Sequence, residues 1–187
     1  MTGAGPRSGT FRLVLLGVLV IILLASSGTM IWLLAGRTGA ADDVQARRET
    51  VMSQAGQFML RVNTYGPDLL DKNGQMPEYR KRVIDIITPK FKTSFEQQVT
   101  VAEQTVSQSG LGRTAQIFAA GVSSIDADSA VVLVAGKFTD SYPKNPQKKD
   151  SKRVEVDPVP FRVEVTLVKT GGKWLVDDFA TVTGAAQ

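Results

Sequence analysis

Residues 161–181 read FRVEVTLVKTGGKWLVDDFAT. Phe161, Val163, Val165 and Leu167 alternate with Arg162, Glu164 and Thr166, a period of two that marks a strand with one buried face. Thr170-Gly171-Gly172 supplies the turn chemistry of a tight hairpin, and Lys173–Thr181 (KWLVDDFAT) is the returning strand. Upstream, Ala130–Phe138 (AVVLVAGKF) reads as a well-buried strand. Ala115–Ser123 pairs with it across a turn at Asp126–Ser129, and Asp140–Lys152, with two prolines and four lysines, reads as a polar loop.

Before Gly112 the period changes from two to that of a helix. Asp42 is a plausible N-cap with Gln45 three residues on, and Val44, Val51, Ala55, Phe58, Val62 and Tyr65 form one helical stripe that Gly66-Pro67 ends. Lys72-Asn73-Gly74-Gln75 is a turn, and Pro77 opens a helix through Tyr79, Val83, Ile86 and Ile87. Pro89 interrupts it. A further helix carries Phe91, Phe95, Val99, Ala102 and Val106 on one face and closes at Ser109-Gly110-Leu111-Gly112. Helices followed by hairpin-linked strands define an α+β domain, with the helices packed on one face of a curved antiparallel sheet.

The N-terminus has a different character. Leu13–Gly36 is 24 residues without a charge, LVLLGVLVIILLASSGTMIWLLAG. As a helix it would run about 36 Å, against a hydrocarbon core of about 30 Å. Arg12 and Arg37 bound it, and Trp32 lies near one end. It reads as a membrane-spanning helix, so the expected partners include the lipid bilayer, through residues 13–36. The rival is a cleaved signal peptide, with Arg7 and Arg12 as its basic region, Leu13–Leu24 as its apolar core and Ala25-Ser26-Ser27 as its cleavage site. Against it, Thr29–Ala35 prolongs the apolar run past that site. Arg7, Arg12 and the terminal amine favour a cytoplasmic N-terminus, opposed by Arg37, Arg47 and Arg48. The expected organisation is a cytoplasmic tail 1–12, a span 13–36, a hinge 37–41, an extracytoplasmic domain 42–183 and a flexible C-terminus 184–187. Gly17 and Gly28 are eleven apart, so the span lacks a GxxxG dimer motif.

The chain has no Cys and no His. That removes thiolate and imidazole ligands, disulfides, Cys nucleophiles and Ser-His-Asp triads. Net charge is +4, but Arg7, Arg12 and Arg37 hold three of those charges, so residues 38–187 are close to neutral and no nucleic-acid partner is expected. Gly110-Leu111-Gly112-Arg113-Thr114-Ala115 has the letters of a dinucleotide fingerprint, but it follows a helix and opens a strand, the reverse of what phosphate binding needs. Asp126-Ala127-Asp128-Ser129 begins like a calcium loop yet lacks the turn glycine and the distal glutamate, and reads as a hairpin turn. Asp177 and Asp178, adjacent on a strand, point to opposite faces and make no dyad; they read as an exposed pair, with one facing a cavity as the sharper alternative. Lys144, Lys148, Lys149, Lys152 and Arg153, and separately Arg80, Lys81, Arg82, Lys90 and Lys92, read as solvated basic groups, the first also able to meet anionic headgroups. No catalytic, metal or cofactor-binding residue is nominated, and no cofactor is expected.

The layout resembles the Mce-associated membrane proteins of actinobacteria. The matching pieces are one N-terminal span, Ala46-Arg47-Arg48 leading to Val51, Ala55 and Phe58, then Ala119-Ala120-Gly121-Val122, Asp128–Val134, Phe161–Val165 and Gly172-Lys173-Trp174-Leu175-Val176-Asp177-Asp178. The resemblance covers roughly residues 10–180, by layout rather than by one diagnostic motif. It implies an NTF2-like or cystatin-like cone outside the membrane and a non-enzymatic accessory role, with protein partners in an Mce lipid or sterol import system. VirB8-type scaffolds of secretion or conjugation share that architecture, and a small hydrophobic ligand in the cone is the third reading.

Overall fold

The computed structural model describes Gly17 and residues 42–148 and 151–182. The chain divides between Ala46 and Arg47 into two units, and the fold below is that of the second. The expected span 13–36 (Gly17 excepted) and hinge 37–41 lie outside the described residues. Among the described residues no helix is long and apolar enough to cross a membrane.

Helix α1 covers residues 42–62, of which those from Arg47 onward belong to the second unit. Val51, Ala55, Phe58 and Met59 are buried along one face, as the spacing requires. Tyr65, expected on the same stripe, lies past the helix end, where its N–H and C=O pair with those of Arg113 at 3.0 and 2.7 Å. Gly66 is extended and does not cap the helix; Pro67 opens a short 3-10 turn, Pro67–Leu69. Helix α2 is Pro77–Ile84, and it stops before Ile86 and Ile87. Thr88 precedes Pro89 and is extended, as that position demands. Backbone bonds from Val176 N–H to Ile86 O (2.9 Å) and from Thr88 N–H to Val176 O (2.8 Å) instead draw this stretch alongside the sheet. The apolar spacing of Ile86 and Ile87 foretold their burial correctly and their helicity wrongly.

Helix α3, Pro89–Ser109, starts with proline in its first turn and Thr88 as N-cap, whose hydroxyl accepts from Phe91 N–H at 3.2 Å. Gly110 ends it in the left-handed conformation (φ 67°) with its N–H on Val106 O.

Five strands follow: β1 Gly112–Ile125, β2 Ser129–Pro143, β3 Arg153–Glu155, β4 Val159–Thr170 and β5 Lys173–Thr181. They form one antiparallel sheet in the order β1-β2-β4-β5, and β3 pairs with the far end of β2. Two expectations need correction. β2 takes Asp140–Pro143 from the expected loop, because those residues gain ladder partners in both β1 and β3. And β2 is buried on one face only: Ala130, Val132 and Val134 are buried while Leu133 is 45% exposed, since the helices cover one side of the sheet. The β4–β5 hairpin turns on Gly171 and Gly172, both at positive φ, as a two-residue primed turn requires.

The core lies between helices and sheet. Phe58, Phe91 and Phe179 form an edge-to-face trio with centroids 5.5–5.9 Å apart, over Val165, Leu167 and Val176. Bulges keep the strands in phase with this core. Across β5, Thr166 pairs with Asp178 and Leu167 with Val176, so Asp177 is the extra residue. Trp174 and Val176 face inward before it, and Phe179 faces inward after it. A regular strand would have turned Asp178 inward instead.

Candidate functional site

The helices and sheet border an open cavity of about 280 Å³. Its wall is mostly apolar and aromatic, with Met59, Phe95, Phe138, Phe161 and Phe179 among its residues, and polar groups come from Asn63, Gln98, Arg113 and Thr181. Phe138 and Phe161 stack at 6.4 Å and 17° where β2 and β4 run side by side. Gly136 makes room for this: a Cβ there would lie 2.4 Å from Gln116 O and 2.6 Å from Phe161 Cζ.

Arg113 is fixed at the cavity wall by pairing across β1 and β2. Its Nε and Nη2 donate to the two carboxylate oxygens of Asp140 at 2.7 and 2.8 Å, and its Cζ lies 4.1 Å from the Phe138 ring centre. Tyr79 donates its hydroxyl to Val62 O at 2.8 Å, and burial pushes its ionisation far above the ordinary phenol range. Burial also raises Tyr65, against the opposing pull of Arg113. The wall thus holds phenols that stay neutral at physiological pH and a guanidinium already satisfied by a carboxylate. It contains no carboxylate, Lys or nucleophilic thiol that could serve as acid, base or nucleophile.

The acidic pair of the sequence lies elsewhere. Neither Asp177 nor Asp178 lines the cavity. Asp177 is a tether: Thr88 Oγ1 donates to its Oδ1 at 2.8 Å and Lys90 Nζ to its Oδ2 at 2.6 Å, tying the start of α3 to β5. The bond from Lys90 holds its carboxyl below the ordinary aspartate range. Asp178 is exposed. The reading of the two as one exposed pair is corrected for Asp177, because the bulge carries it to the helix end.

The second basic group is likewise taken apart by pairing. Arg80 binds Glu103 through both nitrogens (2.7 and 2.6 Å), Lys90 binds Asp177, Lys92 meets Glu96 at 3.6 Å, and Arg82 donates to Thr64 O. Glu103, which the apolar stripe of α3 did not single out, is 4% exposed and also accepts Met76 N–H at 2.7 Å. Its signal in the sequence was a charge at i+4 from Val99, on the buried face. In the loop group Arg153 bonds Gly110 O and Ser141 O, and Lys149 lies outside the described residues. Gly110–Ala115 joins a helix to a strand, and Asp126–Ser129 is a turn closed by Asp126 N–H to Ser129 O at 2.8 Å. Among the described residues no group of three or more acidic, His or Cys side chains is placed to hold a metal ion.

Three helices on a bulged antiparallel sheet, with a mostly apolar concavity between them, define a domain of NTF2-like fold. Solved structures of similar fold include an IcmL-like type IV secretion system protein from Legionella pneumophila (TM-score 0.52, 13% identity, 75% of this chain and 96% of that one). A periplasmic fragment of TraM is another (TM-score 0.50, 6% identity, 71% and 95%). The chain belongs to the family described as uncharacterized protein Rv1363c/MT1408-like, whose model matches residues 11–182. It is 30% identical over 168 residues to Rv1362c of Mycobacterium tuberculosis (strain ATCC 25618 / H37Rv), covering 88% of this chain and 70% of that protein. It is 27% identical over 169 residues to Rv1363c of the same strain, covering 90% of this chain and 58% of that protein.

Proposed function

We propose that this chain is a membrane-tethered, non-enzymatic scaffold subunit whose extracytoplasmic domain docks on protein partners in an envelope assembly. The observation that carries the reading is the joining of the uncharged stretch 13–36, which the family match includes, to an NTF2-like domain without an acid–base set. The similarity in fold to an IcmL-like type IV secretion system protein and to a periplasmic fragment of TraM supports a scaffold of the secretion or conjugation kind. A tether raises the local concentration of the domain at the membrane, so modest contacts suffice for assembly. The sequence layout supports a narrower version, in which the assembly is an Mce-type lipid or sterol importer.

Co-purification of the tagged full chain from native membranes tests this. Recovery with secretion-type components supports the scaffold, recovery with Mce components supports the narrower version, and recovery alone from intact assemblies sinks both. A reporter fused after Gln187 should be active only outside the cytoplasm. The cavity of about 280 Å³ favours one further reading, a small apolar ligand held in the cone. Extraction of purified chain with organic solvent should release a stoichiometric apolar compound if that reading holds.

A further inference from the structure

A second concavity, of about 420 Å³, lies between the 64–69 stretch and the start of β1, and Arg82, Arg113 and Arg153 all line it. Their charges are not equally balanced. Asp140 neutralises Arg113 through a two-pronged bond. Arg82 and Arg153 have no carboxylate partner among the described residues. Both are instead held by neutral oxygens: Arg82 by Thr64 O, and Arg153 by Gly110 O at 2.7 Å, Ser141 O at 2.6 Å and Ser141 Oγ at 3.0 Å. These bonds fix the two guanidinium planes without cancelling their charge. Nε of Arg82 is buried and has no hydrogen-bond partner. A guanidinium with one donor unpaired and no carboxylate beside it keeps its full charge, which an oxygen anion in the groove would offset. Gly112 leaves the space for the arrangement, since a Cβ there would lie 2.8 Å from Arg153 Nη2.

We infer that this groove binds a carboxylate carried by an acidic segment of a protein partner. Asp68 is its remaining acid, so two uncompensated guanidiniums against one carboxylate leave a single positive charge. That balance suits a monoanion better than a doubly charged phosphate. Tyr65, Pro67 and Leu69 give the groove an apolar side against which peptide stems can lie. The inference rests on the docking reading above and names the chemistry of the docked partner.

The test is a titration of the ¹⁵N-labelled full chain in nonionic detergent with acetyl-triglutamate amide, following the Arg82 and Arg153 Nε–H signals and the Gly112 amide. Saturable shifts confined to these signals are expected, weakened by salt. Arg153→Gln should weaken binding about tenfold. Asp68→Asn, at an exposed position that leaves the fold alone, should tighten it about twofold. Arg82→Lys, which keeps the charge and loses the fork, should weaken binding, and an unchanged amide spectrum elsewhere certifies the fold. Absence of saturation, or indifference to Asp68→Asn, overturns the inference. So does equal or tighter binding of inorganic phosphate, or of phosphatidylglycerol vesicles, at the same arginines. A chain that ignores the peptide yet still co-purifies with an assembly overturns the groove alone and leaves the scaffold standing.

Discussion

Glu103 shows how a single side chain joins three elements. Its carboxylate takes the Met76 N–H before α2, the Arg80 guanidinium on α2, and itself stands on α3. Removing it leaves a buried N–H and a half-covered guanidinium unpaired, so Glu103→Ala should cost about 2 kcal/mol in urea unfolding, and Glu103→Gln less. The Arg80 bond holds the Glu103 carboxyl below the ordinary range, as Lys90 does for Asp177. The sign follows from linkage: folded carboxyls that are harder to protonate than unfolded ones stabilise the fold above the unfolded value. That stability should be constant near neutrality, begin to fall below about pH 4.3, and be lost as pH drops through the lower folded values. A urea midpoint measured against pH checks it, and Glu103→Gln should flatten the acid limb. None of this was readable from the α3 stripe, since a glutamate at that spacing is as compatible with a solvated edge as with a buried pair.

Strands and their bulges carry the next level. Deleting Asp177 would remove the extra residue in β5 and place Asp178 directly after Val176, so Asp178 stays outward, Phe179 stays inward and only the tie to the start of α3 is lost. The aromatic trio should persist, so near-ultraviolet dichroism and cooperative unfolding should both be kept while the melting temperature falls. Asp177→Ala leaves the backbone count intact and should keep the fold, with a lower melting temperature from the untied start of α3. Gly136→Ala meets a backbone oxygen and a ring that cannot both move, and should cost about 2–3 kcal/mol. The alternation of 161–167 and the Gly171-Gly172 turn placed β4 and β5 correctly, because period and turn chemistry are local. The Asp177 bulge escaped the same reading, because it depends on which residue of β4 lies opposite.

At the scale of the whole domain, the two central strands, β2 and β4, are each paired on both sides. Val132, Val134, Val165 and Leu167 are buried in β2 and β4, each flanked by a strand on both sides. Their amides should exchange most slowly, and those of residues 144–148 fastest, in native-state hydrogen exchange. Slow exchange in β1 together with fast exchange in β4 would contradict the observed strand order.

The α+β class, the Asp126–Ser129 and Gly171-Gly172 turns, the near-neutral domain after an apolar stretch and the absence of thiol and imidazole chemistry were determined by the sequence alone. Each follows from spacing or composition within a short window. Tertiary structure alone decided that Ile86–Thr88 leaves the helix for the edge of β5, that Glu103 is buried, and that Arg82 and Arg153 stand without counter-charge beside one groove. Those outcomes depend on which distant groups meet, and pairing across the fold balances charge and hydrogen bonds in ways that no local period encodes.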